Sequence, residues 1–212
     1  MKLSKKDRAI QVYHILDEAS PSVITFLEQT DPFRLLISVI LSAQTTDRQV
    51  NEVATVLFAT YPTVESLAHA DSESVKQIIR STGYFNAKTK NIIGTAKALL
   101  DDHGGNVPFS MDELVKLPGV GRKTAGVIIG QLDNQPAIIV DTHFKRVVQR
   151  LGLTENSDPQ RIEREVALLL PPAHHYRFSM TANLHGRQTC HARKPLCRTC
   201  LIAPLCNSFP IQ

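Results

Sequence analysis

The sequence predicts an all-α fold. Three observations carry that expectation: apolar residues recur at helical spacing almost throughout, bounded runs of β-branched residues are nearly absent, and the only strand-like stretch, Ala137 to Val140, is too short to found a sheet. The first amphipathic run predicts a helix over Ser4 to Ala19. Asp31 and Pro32 fit an N-cap and first-turn proline ahead of Phe33 to Ala43, an apolar run broken by Arg34 and Ser38 and about as long as a buried core helix. A helix over Asp47 to Ala59 follows. Gly83 reads as the stop of a helix begun near Ser72, and Asn86 as the opening of one that runs through Leu100. Ser110 with Glu113 three residues on spells a capping box. Further helices are expected over Arg122 to Gln131, Thr142 to Leu151, Pro159 to Leu170 and Tyr176 to His185. No repeat, linker or low-complexity tract interrupts this array of about ten short helices, so any division into lobes must come from packing.

A chain of 212 residues, 42% of them hydrophobic, can bury one or two cores. Met1 to Arg8 is charged and no apolar run of signal type follows, so neither a secretory signal nor a membrane span is expected, and a cytoplasmic location is the default. The net charge of +4 is unevenly spread. From Val166 to Gln212 there is no Asp or Glu, and Arg177, Arg187, Arg193, Lys194 and Arg198 give that segment +5 against −1 for residues 1–165. Such a one-sided basic segment suits a polyanion such as DNA, and equally a solvated face.

All four cysteines fall in that segment, as Cys190, Cys197, Cys200 and Cys206, spaced C-x6-C-x2-C-x5-C. Four crowded thiols in a cytosolic protein indicate metal ligation rather than disulfides. By donor chemistry, four thiolates suit tetrahedral zinc and a four-iron cluster alike, and spacing alone puts zinc slightly ahead. Either group would hold up the loop His191 to Leu196, which carries Arg193 and Lys194, and turn it into a fixed phosphate-contacting surface.

The run Leu117-Pro118-Gly119-Val120-Gly121-Arg122-Lys123-Thr124-Ala125 lies between two predicted helices. Gly119 and Gly121 permit a tight turn whose backbone N–H groups face outward at a helix start, a nest for a phosphate. An ordinary helix connection needing glycine would look the same from two glycines alone. The whole nine-residue string resembles the helix-hairpin-helix of the endonuclease III family of DNA glycosylases, and the cysteine spacing is similar to the array that closes members of that family. Val140-Asp141-Thr142-His143 matches a third family motif at the family's separation from Lys123, and the likeness runs from Asp31-Pro32-Phe33 through Leu41-Ser42-Ala43-Gln44 to Cys206.

The resemblance implies a base-excision enzyme that removes oxidised pyrimidines from duplex DNA and nicks the strand, with a [4Fe–4S] cluster on the four cysteines. It implies two helical lobes with a DNA-binding cleft between them, one spanning residues 20–134 and the other combining 1–19 with 135–212. Lys123 becomes the residue that attacks the sugar C1′, placed where a helix N-terminus and Arg122 both disfavour a further positive charge. Asp141 reads from the sequence as the N-cap of the helix after it, and the resemblance adds a role as the ionised carboxylate at the reacting sugar, which is compatible with capping. Gln44 matches the position that fills the gap left by an extruded base. Tyr84, in Gly83-Tyr84-Phe85-Asn86, stands where the family commonly has an aliphatic wedge for the opposite strand. Gly119, Gly121, Arg122, His143, Arg193 and Lys194 complete the expected DNA contacts, with His143 in a supporting rather than catalytic place. The partner is double-stranded DNA carrying damaged bases or abasic sites, and a monomer is sufficient for it.

Three other classes fit less of the chain. A plain DNA-binding module has no use for Lys123 together with Asp141, and an electron carrier leaves most of the helices unexplained. A relative acting on mismatched adenine or thymine generally lacks the lysine or appends a further domain, whereas this sequence keeps Lys123 and ends six residues after Cys206.

Overall fold

The computed structural model describes residues 3–22 and 25–209, so Met1 and Lys2 of the charged N-terminal run lie outside the described residues. The α-helices, in chain order, are α1 (Lys5–Ala19), α2 (Pro32–Leu41), α3 (Asp47–Thr60), α4 (Val64–Ala68), α5 (Ser72–Ile79), α6 (Phe85–His103), α7 (Met111–Leu114), α8 (Arg122–Leu132), α9 (Thr142–Arg150), α10 (Pro159–Ala167) and α11 (His175–Gln188). Short 3-10 turns occur at Arg80–Thr82, Pro172–His174, Cys197–Thr199 and Ala203–Leu205, and there is no strand among the described residues. The chain divides into two compact units, one of Thr25–Asp133 and one of Met1–Ile24 together with Asn134–Gln212.

Side-chain caps start many of the helices. Ser4, Asp31, Thr46, Asp71 and Asp158 each accept a hydrogen bond from the backbone N–H three residues on, at 2.8 to 3.3 Å. Several expected boundaries shift for local reasons. Helix α2 ends at Leu41 rather than Ala43, because the Ser42 hydroxyl donates back to the Val39 carbonyl and Gln44 turns left-handed at φ 54°. Helix α6 opens at Phe85, one residue early, behind a left-handed Tyr84. Helix α10 stops at Ala167 instead of Leu170, ahead of two prolines that drive the preceding residue out of helical geometry. The capping box expected at Ser110 and Glu113 does not form, since the Ser110 side chain makes no capping bond. A reciprocal box forms instead between Thr63 and Ser66 at α4, a helix of five residues that shows no periodicity in the sequence.

In the unit of residues 25–133, α2 is the central element. Every residue from Phe33 to Leu41 except Arg34 is buried, and the helix packs on α3, α6 and α8. The other unit is built on α1, α9 and α11, whose core includes Val12, Leu16, Val147, Leu151 and the edge-on rings of Phe144 and Phe178 with centroids 5.7 Å apart. The strand-like stretch does not pair with a strand. Ile138 enters this core while the Ile139 N–H donates to the Ser179 hydroxyl at 2.9 Å, which satisfies the backbone without a sheet. Cys190, Cys200 and Cys206 pack against the same core.

The caps give a direct contrast. Asp31→Ala should lower the unfolding free energy by about 1 kcal/mol, because it orphans a first-turn N–H. Ser110→Ala should change it by less than about 0.5 kcal/mol. Urea unfolding of the two variants side by side checks the pair.

Candidate nucleic-acid interface and cysteine site

The hairpin between α7 and α8 rests on α6. The Thr95 hydroxyl donates to the Pro118 carbonyl at 2.7 Å, and Gly94 comes so close that a Cβ there would lie 3.2 Å from Pro118 Cγ. Gly119 sits at φ 75°, and a Cβ on it would stand 2.6 Å from Asn91 Nδ2, so both conformation and space demand glycine. Gly121 differs. Its φ is −94° and a Cβ there would meet nothing within 4 Å. The turn therefore needs one left-handed glycine rather than two, and Gly121 leaves the backbone bare on its open side. As the N-cap of α8 it supplies no side chain to close the first-turn N–H groups, which is the arrangement that receives an anion. Arg122 and Lys123 are exposed in that turn, and Lys123 has no hydrogen-bond or ion-pair partner among the described residues.

Gln44 and Tyr84 occupy neighbouring turns of the same unit. Both are left-handed without being glycine, at φ 54° and 48°, and both are exposed, Tyr84 by 67%. Their turns are tied together from inside. The Thr45 hydroxyl donates to the Thr82 carbonyl at 2.6 Å, and the Lys88 ammonium, only 4% exposed, donates to Thr45 Oγ1 at 2.6 Å and to the Thr82 carbonyl at 2.8 Å. Burial pushes the Lys88 pKa below the usual lysine value. Backbone strain at two exposed residues, held by a buried cation, is the kind of feature that gathers at working surfaces.

In the other unit Asp141 is the N-cap of α9, with Oδ1 accepting from the Phe144 N–H at 2.7 Å and Oδ2 accepting from Asn183 Nδ2 at 2.5 Å. His143 accepts from Arg146 Nη2 through Nδ1 at 3.2 Å, which turns its Nε2 away from the arginine. Arg193 and Lys194 are exposed, as is Arg198. The basic segment is less of a surface than its composition suggests, because Arg177 binds Asp17 Oδ1 at 2.5 Å and the Ser20 carbonyl at 2.6 Å, and Arg187 binds Asn183 Oδ1 at 2.7 Å.

The four cysteines are all unbridged and half-buried. They line one cavity with Val147, Arg150, His185 and Ile202, holding about 360 Å³ of atom-free space that is partly open to solvent. No three His, Cys, Asp or Glu side chains among the described residues converge closely enough to hold a single metal ion. Burial pushes the Cys200 and Cys206 thiols up, and the neighbouring cysteines add to the rise, so a metal that took them as thiolates would displace their protons. Burial also pushes the His185 imidazole down to about 4, and its Nε2 lies 3.6 Å from Cys200 Sγ. Arg150 Nη1 donates to Cys190 Sγ at 3.2 Å and to the His191 carbonyl at 2.7 Å, while Arg146 Nε donates to the Cys190 carbonyl at 2.9 Å. Sequence reading missed Lys88, Asn91, Arg146, Arg150, Asn183 and His185. The only signal for the two arginines was their i, i+4 spacing on the helix that follows Asp141.

A helical fold with this hairpin falls in a known class of repair proteins: a model described as HhH-GPD superfamily base excision DNA repair protein matches residues 37–172. An endonuclease III from Synechocystis is 45% identical over 206 residues, covering 97% of this chain and 94% of that relative. A solved non-covalent endonuclease III–DNA complex aligns with a TM-score of 0.91 at 36% identity, covering 97% of this chain and 96% of the other. A trapped endonuclease III–DNA covalent intermediate aligns at 0.88 with 37% identity and the same coverage. The chain belongs to the endonuclease III family.

The two hairpin glycines should separate on substitution. Gly119→Ala should cost at least about 1 kcal/mol of stability, from left-handed strain plus the collision with Asn91. Gly121→Ala should cost no more than about 1 kcal/mol, the loss of a tolerable N-cap, yet weaken duplex binding, measured by fluorescence anisotropy. Unaltered affinity would show that nothing approaches Gly121 closely.

Proposed function

We propose that the chain is a bifunctional DNA glycosylase and abasic-site lyase of base excision repair, which removes oxidised pyrimidines from duplex DNA through Lys123. The observation that carries this reading is an exposed lysine with no partner among the described residues, in the uncapped first turn of the hairpin helix α8. Membership of a family that includes a covalent intermediate trapped on DNA supports it.

The chemistry divides among this chain's own residues. The unprotonated Lys123 amine bonds to the sugar C1′ as the bond from C1′ to the damaged base breaks, and the base departs with the electron pair and takes up a proton. The Schiff base that follows makes the C2′ proton acidic, and its loss expels the 3′ phosphate by β-elimination. Asp141, fixed at the start of α9, stabilises positive charge at the sugar or takes the proton released by the amine. Gln44 fills the vacated stack and Tyr84 stacks on the opposite strand, which an exposed ring does as well as an aliphatic wedge. The first-turn N–H groups between Gly119 and Lys123, with Arg122, take a phosphate, and His143, Arg193 and Lys194 contribute further backbone contacts. One copy of the chain carries every named group.

Cys190, Cys197, Cys200 and Cys206 would hold a [4Fe–4S] cluster. Tetrahedral zinc, about 2.3 Å from each thiolate, needs its sulfurs about 3.8 Å apart. Thiols that share a cavity without converging on one ion suit a cluster that takes one thiolate at each corner. Bound there, it would act as a rigid cross-link for the loop that carries Arg193 and Lys194.

Borohydride reduction on duplex containing an oxidised pyrimidine tests the nucleophile. The parent protein should give a trapped protein–DNA band, while Lys123→Gln should bind the duplex but give neither efficient base release nor the band. Trapping by Lys123→Gln at the parent level would assign the attack to another group. The cofactor is tested separately: purified protein should carry about four irons and absorb broadly near 400 nm. Colourless protein with one zinc would overturn the cluster and leave the glycosylase untouched.

A further inference from the structure

Asp141 needs only one of its oxygens to cap α9, and that oxygen is Oδ1. The other oxygen is engaged by Asn183 of α11, a residue 6% exposed, whose amide is in turn gripped one helical turn later by Arg187. The amide can point only one way. A guanidinium has donors and no acceptor, so Asn183 Oδ1 must face Arg187, which leaves Nδ2 to face a carboxylate that only accepts. We propose that Asn183, locked in this orientation by Arg187, is a positioning residue that fixes the Asp141 carboxylate for the reaction. This rests on the reading of Asp141 as the carboxylate at the reacting sugar.

A purely structural account leaves the amide unexplained. Capping is complete without Oδ2, and a leucine would fill a buried helix position without the loss of hydration that a buried amide incurs. What the amide adds is control of rotation. With both oxygens bonded the carboxylate plane cannot swing about its terminal torsion, while each oxygen keeps one further acceptor direction open to substrate. Arg187, by binding Asn183 Oδ1, also polarises the Asn183 N–H that Asp141 accepts. A direct ion pair would offset the negative charge that a cationic sugar requires, whereas the amide hydrogen bond orients the carboxylate without placing a formal cation on that oxygen.

Single-turnover base release on oxidised-pyrimidine duplex tests the proposal, with Asn183→Leu, Asn183→Asp and Asp141→Asn measured alone and Asn183→Leu also combined with Asp141→Asn. Asn183→Asp keeps the shape and replaces the donor with an oxygen, so it remains informative if the leucine variant fails to fold. Melting temperature and visible absorption report on the fold. The rate constant at saturation should fall at least about tenfold in both Asn183 variants, the scale expected for a misplaced catalytic group. The duplex concentration for half-maximal rate should stay within about twofold. In the Asp141→Asn background, Asn183→Leu should cost almost nothing more. Parental rates in both Asn183 variants beside a slow Asp141→Asn overturn the proposal, as does a loss that adds fully to that of Asp141→Asn. A fast Asp141→Asn sinks the underlying reading of Asp141 instead, and the proposal falls with it.

Discussion

Gly186 lets α11 lie against α9 so closely that a Cβ there would stand 3.0 Å from His143 Cβ and 3.1 Å from the His143 carbonyl oxygen. Much of the C-terminal unit follows from that approach. It brings Asn183 within hydrogen-bond distance of Asp141, and it lets Arg146 donate to the Gly186 carbonyl at 2.7 Å as well as to the Cys190 carbonyl. One turn further along α9, Arg150 reaches the next carbonyls, those of His191 and Ala192, while its own carbonyl accepts the Ser208 N–H from the far end of the segment at 3.1 Å. A segment from Thr189 to Phe209 with nothing longer than a three-residue 3-10 turn leaves many carbonyls without helical partners. Two arginines can answer several of them at once because each guanidinium carries a fixed fork of donors, which lysine lacks.

The unit of residues 25–133 solves a different problem. Gln44 and Tyr84 hold a backbone conformation that glycine would adopt more cheaply, so something must compensate. Lys88 does this from inside by donating to the turn that follows each of the two α-helical segments, at Thr45 and at Thr82. A buried ammonium with only neutral acceptors is an expensive strut. A methionine of similar length could fill the volume but would leave the Thr82 carbonyl with one donor fewer and the two turns tied only by the Thr45 hydroxyl. The lysine makes sense where the relative placement of two exposed side chains matters more than stability.

Sequence reading succeeded where the governing interaction is local. Asp31-Pro32 starts α2 because the cap and the proline act within one turn, and the cysteine array and the nine-residue hairpin are legible because their spacing is the chemistry. It failed where the deciding atom comes from a distant part of the chain. Ser110-x-x-Glu113 has the letters of a capping box, yet α7 is only four residues long and the serine side chain is not used. Gly119 and Gly121 are indistinguishable as letters, and only the left-handed backbone of the first and Asn91 beneath it show which is required by the fold. Asn183 carried no signal at all, since an asparagine inside a helix becomes meaningful only when Asp141 and Arg187 are found on either side of it.

The charge of the C-terminal segment shows the same separation with a consequence for binding. Of its five basic residues, Arg177 and Arg187 are spent on internal partners, and the three exposed ones, Arg193, Lys194 and Arg198, all lie between Cys190 and Cys200. Lys194 is itself left-handed, at φ 53°, so this short stretch is held in shape against its own preference. What holds it is the Arg150 grip on the carbonyls of His191 and Ala192, to which ligation of the flanking sulfurs would add. Because ligation free energy is folding free energy for a loop with so little core of its own, a cluster at these four thiols would fix the segment's exposed charge in place as well as its fold. Such a cofactor would need no part in bond breaking to matter for catalysis, since it would help to fix a basic surface for the phosphate backbone to meet.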